Sequence, residues 1–394
     1  MGGSHAHTSH PETRRMRRWA VAVVAPFVVV TLVALALLWP GAVERETPEV
    51  AGAGQAGGTV VAVDREECPE PLPDDVNGCG SATVEVDEVD GAPVEVGARV
   101  ETTLPNGTGA ARIEVGHSVV LLHMSTPDGG TFSIVDHRRA TGMWILAAAF
   151  VLAVVAFGRW RGVRSLLGLG VTFLVLLYFV VPGILEGSSP VAMALAGSAA
   201  IVLSVMYLTH GLTLSTTVAL VGTLVSLALT GLLAWIAVAG LHLTGVTDDV
   251  STTVGMDLGV DMGGLLLAGI MVGSLGVLDD VTVTQSETVT ELARANPAYR
   301  AVDLYRAGGR VGRAHIASVI NTIILAYAGS TLPLLVLIVA NNPTLGAVVT
   351  DQVLAQEIVR SGVATLGLIA AVPVTTALAA LVAARAVRGE ETAS

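Results

Sequence analysis

Two adjacent carboxylates, Asp279 and Asp280, close a glycine-punctuated apolar run in "MVGSLGVLDDVTVTQSETVTEL" at residues 271–292. Beyond them, Thr284, Glu287 and Glu291 follow Asp280 at i+4, i+7 and i+11, the spacing of one helical face. Acids in this setting have two readings. A membrane helix can end at them and leave them in water. Alternatively the helix continues and carries charge into the bilayer, where ionisable groups are costly unless paired or wet and commonly line ion, proton or substrate routes. No Gly or Pro occurs between Asp280 and Pro297, and a carboxylate at a helix C-terminus opposes the macrodipole, so continuation is locally the easier course.

Other polar residues could meet these acids. His210 in "YLTHGLTLSTT", Gln285 and Ser286 after the aspartates, and Asn321 in "HIASVINTIILAY" are expected on the same half of a helix bundle, converging with Asp279 and Asp280. For His210 alone, a turn role between two helices is the simpler reading. Gly269 and Gly273 form a GxxxG pair with Gly276 one turn later, a pattern that lets helices approach closely.

The elements that would position these groups follow from composition. The chain has 394 residues, 52% hydrophobic and 14% charged, with a mean hydropathy of +0.70 that lies outside the soluble range. It is read as a membrane protein. All 21 basic residues are Arg. Between Pro40 and Arg139 there are 18 Asp or Glu against 6 Arg, so the net charge of −12 sits in one polar block, and an acidic block repels nucleic acid.

Apolar runs are expected to span the bilayer at 19–39, 142–157, 165–183, 190–208, 213–240, 263–280, 315–340 and 362–384. The fold class read here is an α-helical polytopic membrane protein of about eight transmembrane helices. Its segments are a tail at 1–18, an anchor helix at 19–39, a β-rich domain at 40–139, a seven-helix domain at 140–386 and a tail at 387–394. A cleavable signal peptide is the rival for the first span. Arginine clusters at 14–18, 159–164, 294–313 and 385–388 alternate with loops that carry none, which puts both termini in the cytoplasm and the polar block outside the cell membrane. Pro333 and Pro373 fall inside apolar runs, where proline kinks a helix.

Short β-branched segments between turn residues fill the polar block and suit a small closed barrel of the OB or SH3 kind, with a split sandwich as the alternative. Cys68 and Cys79, the two cysteines, flank "PEPLPDDVNG" and would pair as a disulfide in an oxidising compartment, the alternative being two free thiols. No metal site or cofactor is expected, and no HExxH, GxSxG, P-loop or kinase motif is present, so catalysis is not expected.

The segments "FSIVDHRR", "LTHGLTLSTTVALVGT" and above all "GSLGVLDDVTVTQSETVTEL" resemble the YibE/F-like family of multi-pass membrane proteins, from about Gly57 onward. The resemblance implies a fold and a location and supplies no ligand or catalytic residue. Two functions are carried forward. The first is a permease or ion-coupled transporter of a small solute or ion, with a polar path through Asp279, Asp280, Thr284, Gln285, Ser286 and Glu287. The second is a membrane scaffold or envelope assembly factor whose outer domain binds an envelope protein partner, or which forms a homo-oligomer.

Overall fold

The structure is a computed structural model that describes residues 14–41, 53–69, 75–126, 129–341 and 344–391. Of the segments read above, residues 1–13 and 392–394 of the tails and 70–74 of the cysteine loop lie outside the described residues. The chain divides into two compact units, one formed by residues 44–157 and the other by 1–43 with 158–394.

Among its described residues the smaller unit holds five antiparallel strands, β1 (Ala53–Glu66), β2 (Cys79–Asp90), β3 (Arg99–Thr103), β4 (Ser118–Thr126) and β5 (Gly129–His137), in the order β3-β2-β1-β4-β5. Alternation drives the sheet: Ala82, Val84 and Val86 of β2 point into one core with Val60, Val119 and Leu121, while Glu85 and Asp87 face out. Residues 111–115 form a loop between β3 and β4 that plugs Ile113 into the core. The two edge strands curl toward each other, and Thr102 Oγ1 of β3 donates to the carbonyl of Phe132 in β5 at 2.7 Å.

Cys68 and Cys79 form a disulfide with Cα atoms 5.0 Å apart. It closes the β1–β2 connection where Cys79 already pairs with Glu66. Beside it Asn77 is buried, donating from Nδ2 to the carbonyls of Pro105 (2.6 Å) and Ala111 (2.8 Å) and accepting from the Ile113 N–H (2.8 Å). His123 is buried against Phe132, and His117 and His137 lie edge to face at 5.0 Å.

The helices are α1 (Arg14–Leu37), α2 (Ala140–Val175), a π turn at Leu176–Val180, α3 (Val181–Leu185), α4 (Pro190–His210), α5 (Leu214–Gly240), α6 (Asp249–Asp257), α7 (Met262–Ala295), α8 (Ala301–Ser330), α9 (Leu332–Asn341), α10 (Leu345–Thr350) and α11 (Gln352–Glu391). Among the described residues, six helical runs are long and apolar enough to cross a membrane, at 140–185, 190–210, 214–240, 262–295, 301–330 and 352–386. The spans read at 142–157 and 165–183 belong to one run whose backbone leaves the helical region at Arg159 (φ 51°, ψ −130°). The span read at 315–340 breaks at Thr331. Pro333 therefore lies in the first turn of α9, where a missing N–H costs nothing, and does not kink a span. Pro373 does sit inside α11.

In the larger unit the connections fall at two opposite ends of the bundle. At one end, Gly41 N–H donates to Glu186 Oε2 (3.0 Å), Trp39 packs on Phe179, Val260 joins Phe179 and Met193, and Gln352 donates to the carbonyl of Val246 (3.1 Å). Asp248 caps α6 there, and the Ser251 N–H and hydroxyl hold its carboxyl below the usual range. At the other end, Ser286 donates to the carbonyl of Ser215 (2.8 Å), and Gly168 lies against Val205 and Thr209 near the end of α4. Arginine follows this division, with one departure: Arg360 sits in the first turns of α11 at the Glu186 end, 3.0 Å from Glu357.

Candidate functional site

Helix α7 runs unbroken through "LDD" to Ala295, 34 residues or about 51 Å at 1.5 Å per residue. Asp279 and Asp280 therefore lie within a helix. They sit on different faces. Asp279 is half-buried and its Oδ1 is fully buried with no hydrogen-bond partner among the described residues. Asp280 is exposed, as are Thr284, Glu287 and Glu291. The stripe that the spacing predicted is real, but it faces away from the bundle, because the helix turns Leu278, Thr282, Gln285, Ser286 and Val289 inward.

That inward face is polar as well as apolar. Gln285 is buried where α7, α8 and α11 meet, and its Nε2 donates to the carbonyl of Gly308 (2.9 Å) and to Thr376 Oγ1 (2.8 Å). Thr376 Oγ1 donates onward to the carbonyl of Val372 (2.6 Å). Ser286 fixes the first turn of α5 as described above. One turn before it, Thr282 shares a 2.5 Å hydrogen bond with Thr223 of α5.

The expected convergence is partial. His210, the last residue of α4, has Nδ1 3.8 Å from Glu287 Oε1, an exposed pair that joins the α4–α5 turn to α7. Gln285 and Ser286 are inside and bonded to other groups. Asn321 is exposed on α8 and is not part of the cluster. The glycines also divide differently from the expectation. Gly269 and Gly276 are exposed, with nothing within 4 Å of where a Cβ would stand, and Gly273 meets only Tyr327 Oη at 3.4 Å. Close approach is made instead by Gly308 and Gly312 of α8. A Cβ there would lie 2.7 Å from Val289 Cγ2 and 2.6 Å from Val372 Cγ1, respectively. Gly222 against Thr375 and Gly367 against Thr230 bring α5 and α11 together in the same manner.

Sequence reasoning missed the hydroxyl face of α5. Thr216, Thr223, Ser226 and Thr230 are all buried, at spacings of 7, 3 and 4 residues that keep them on one side of the helix. Facing elements add Ser274 and Thr282 from α7 and Thr375 and Thr376 from α11, also buried. Ser226 Oγ and Thr375 Oγ1 join Asp279 Oδ1 as buried atoms with no hydrogen-bond partner among the described residues. The signal was present in the α5 spacing, but hydroxyls in an apolar helix are easily passed over. Among the described residues, no group of three or more His, Cys, Asp or Glu is placed to hold a metal ion.

Among curated proteins nothing matches the chain. Among solved structures nothing matches it either. The profile of the YibE/F-like protein family matches residues 146–385, leaving the strands β1 to β5 outside the match. That span holds the α5 hydroxyl face, the "LDD" helix and its partners on α8 and α11, and covers well over half of the chain. The chain is a membrane protein that belongs to the YibE/F-like family.

Proposed function

We propose that the chain is a permease or ion-coupled transporter whose polar path follows the interior seam between α5, α7 and α11. The observation that carries this reading is Asp279: a carboxylate oxygen buried without a partner, on a helix that continues about 24 Å past it by the 1.5 Å rise. A native buried polar group left unsatisfied calls for water, an ion or a catalytic role, and the orphaned hydroxyls of Ser226 and Thr375 lie on helices that flank the same seam. In this reading Asp279 is the group that takes up a cation or proton. The exposed Asp280 stripe is a solvated or headgroup-facing surface.

The fold around the path is read as eight spans. The 140–185 run is 46 residues, about 69 Å at 1.5 Å per residue, enough for two crossings separated at Arg159, and α1 supplies another. With the arginine-rich end in the cytoplasm, both termini are cytoplasmic and the sheet unit lies outside the cell membrane. The approach of β3 to β5 supports a closed OB-like barrel for that unit.

A scaffold or assembly role is the second reading. The tight contacts of Gly222 with Thr375 and of Gly367 with Thr230 favour it, since they close the seam in this conformation.

The test is complementation of a deletion phenotype with membrane abundance measured alongside. Asp279→Asn should abolish complementation at normal abundance, while Asp280→Asn should retain it. Full complementation by Asp279→Asn removes the transport path. The scaffold reading would then gain if substitutions on the outer face of the sheet unit were the ones that abolish function.

A further inference from the structure

The first four turns of α8 carry Arg306, Arg310 and Arg313 at i, i+4 and i+7, so one face of the helix presents three guanidinium groups. These three line a groove of about 470 Å³ between α8 and α11, whose remaining wall is apolar and includes Ile316, Ile369 and Pro373. Among the described residues none of the three arginines has a carboxylate within 4.0 Å. Arg294, Arg300 and Arg360, by contrast, each hold a neighbouring acid. Asp303, one turn before Arg306, feels that arginine's charge without an ion pair, so three cations with little local compensation face one cavity, and an anion seated between them would relieve their repulsion.

Depth selects the anion. Gly308 and Gly312 lie beside Gln285, and Ser286 holds the first turn of α5, so the groove is level with the turn where α4 ends and α5 begins. On the reading of α4 and α5 as spans, this is the membrane edge. The groove is also graded. Arg306 is toward the end of the bundle, and Ile316 and Ile369 are toward its apolar middle, the polarity of a phospholipid with its phosphate at the edge and its chains inward. Tyr305, which adjoins the arginines in the groove, adds an amphipathic ring suited to the interface.

We propose that this groove is a binding site for an anionic phospholipid, with Arg306, Arg310 and Arg313 on the headgroup phosphate and the Ile316–Ile369 wall against an acyl chain. Guanidinium suits the role because its planar donors can bind phosphate oxygens in pairs. The site is separate from the seam around Asp279, and it stands or falls independently of transport.

The test uses the detergent-solubilised full chain and native mass spectrometry with three probes: dioleoylphosphatidylglycerol, dioleoylphosphatidylcholine and the soluble sn-glycerol 3-phosphate. Phosphatidylglycerol should bind at least tenfold more tightly than phosphatidylcholine, and glycerol phosphate, lacking chains, should not bind at the same concentration. The triple variant Arg306→Gln, Arg310→Gln, Arg313→Gln should lose the preference. A control with the same charge change, Arg294→Gln, Arg300→Gln, Arg385→Gln, should keep it. If the triple variant is not recovered folded, Arg310→Gln alone should reduce the preference at least threefold. An unchanged preference in the groove variants overturns the site, equal loss in the control reduces it to net charge, and tight binding of glycerol phosphate overturns the lipid as occupant.

Discussion

Gln285 and Gly308 are joined by a 2.9 Å hydrogen bond from a buried side-chain amide to a main-chain carbonyl. The bond pins α7 to α8 at a point where α8 has no side chain to intervene. The same amide reaches Thr376, so one residue ties three helices. Replacing it with Leu leaves the donors' partners without their bonds in a buried site, and a cost of about 1–3 kcal/mol is expected. Thermal unfolding of the purified protein should show the loss, whereas Gln285→Asn, too short by one methylene to reach both partners, should lie between. An unchanged melting temperature in Gln285→Leu would remove Gln285 as a tie.

The glycines offer a paired test. Gly312→Ala puts a methyl 2.6 Å from Val372 Cγ1 and 2.7 Å from Gln285 Oε1, and overpacking of this kind costs about 1–3 kcal/mol. Gly269→Ala meets nothing within 4 Å and should be neutral, or stabilising by up to about 1 kcal/mol through helix propensity. Both are read by unfolding and by membrane abundance. If Gly269→Ala is the damaging one, the exposed glycine face packs against something beyond this chain.

The disulfide stabilises a loop that Asn77 also anchors. Cys68→Ser with Cys79→Ser should cost about 3 kcal/mol by loop entropy, and Asn77→Ala, which strands the Pro105 and Ala111 carbonyls and the Ile113 N–H, a comparable amount. Non-reducing mass spectrometry of unreduced membranes should find the Cys68–Cys79 pair. Two free thiols there would argue against an oxidising compartment for the sheet unit.

The two ends of the bundle can be told apart by labelling. Cysteines placed at Val115 and Asp257 should react with an impermeant thiol reagent in intact cells. At Leu212 and Ala298, both exposed, they should react only after permeabilisation. Reaction at Ala298 in intact cells would invert the topology.

Periodicity and length made the helices legible, because bilayer thickness sets a strong pattern in apolar residues. The strands were legible from their β-branched alternation, and the cysteine pairing from two cysteines sharing one polar block. What spacing could not give was orientation. The face carrying Asp280, Thr284, Glu287 and Glu291 was visible as a stripe, yet a helix with polar residues on two sides does not declare which side is buried, and here the buried one holds Thr282, Gln285 and Ser286. The glycines failed for the same reason. Gly269-xxx-Gly273 and Gly308-xxx-Gly312 are the same pattern, and only the partners in space, Gln285 and Val372 for the second, distinguish contact from spacing. Asn321 was assigned by depth alone, which says nothing about rotation around the helix axis.

The meeting of β3 and β5 matters most where many copies of a chain share a surface. An open sheet offers a row of unpaired amides and carbonyls to any neighbour, and confinement to two dimensions raises the rate of such encounters. Here the short strand β3 leans on β5, and Thr102 takes up the Phe132 carbonyl, so the edges that would template another strand are turned on each other. Crowded copies can therefore collide through their sheet units without zippering into a fibre.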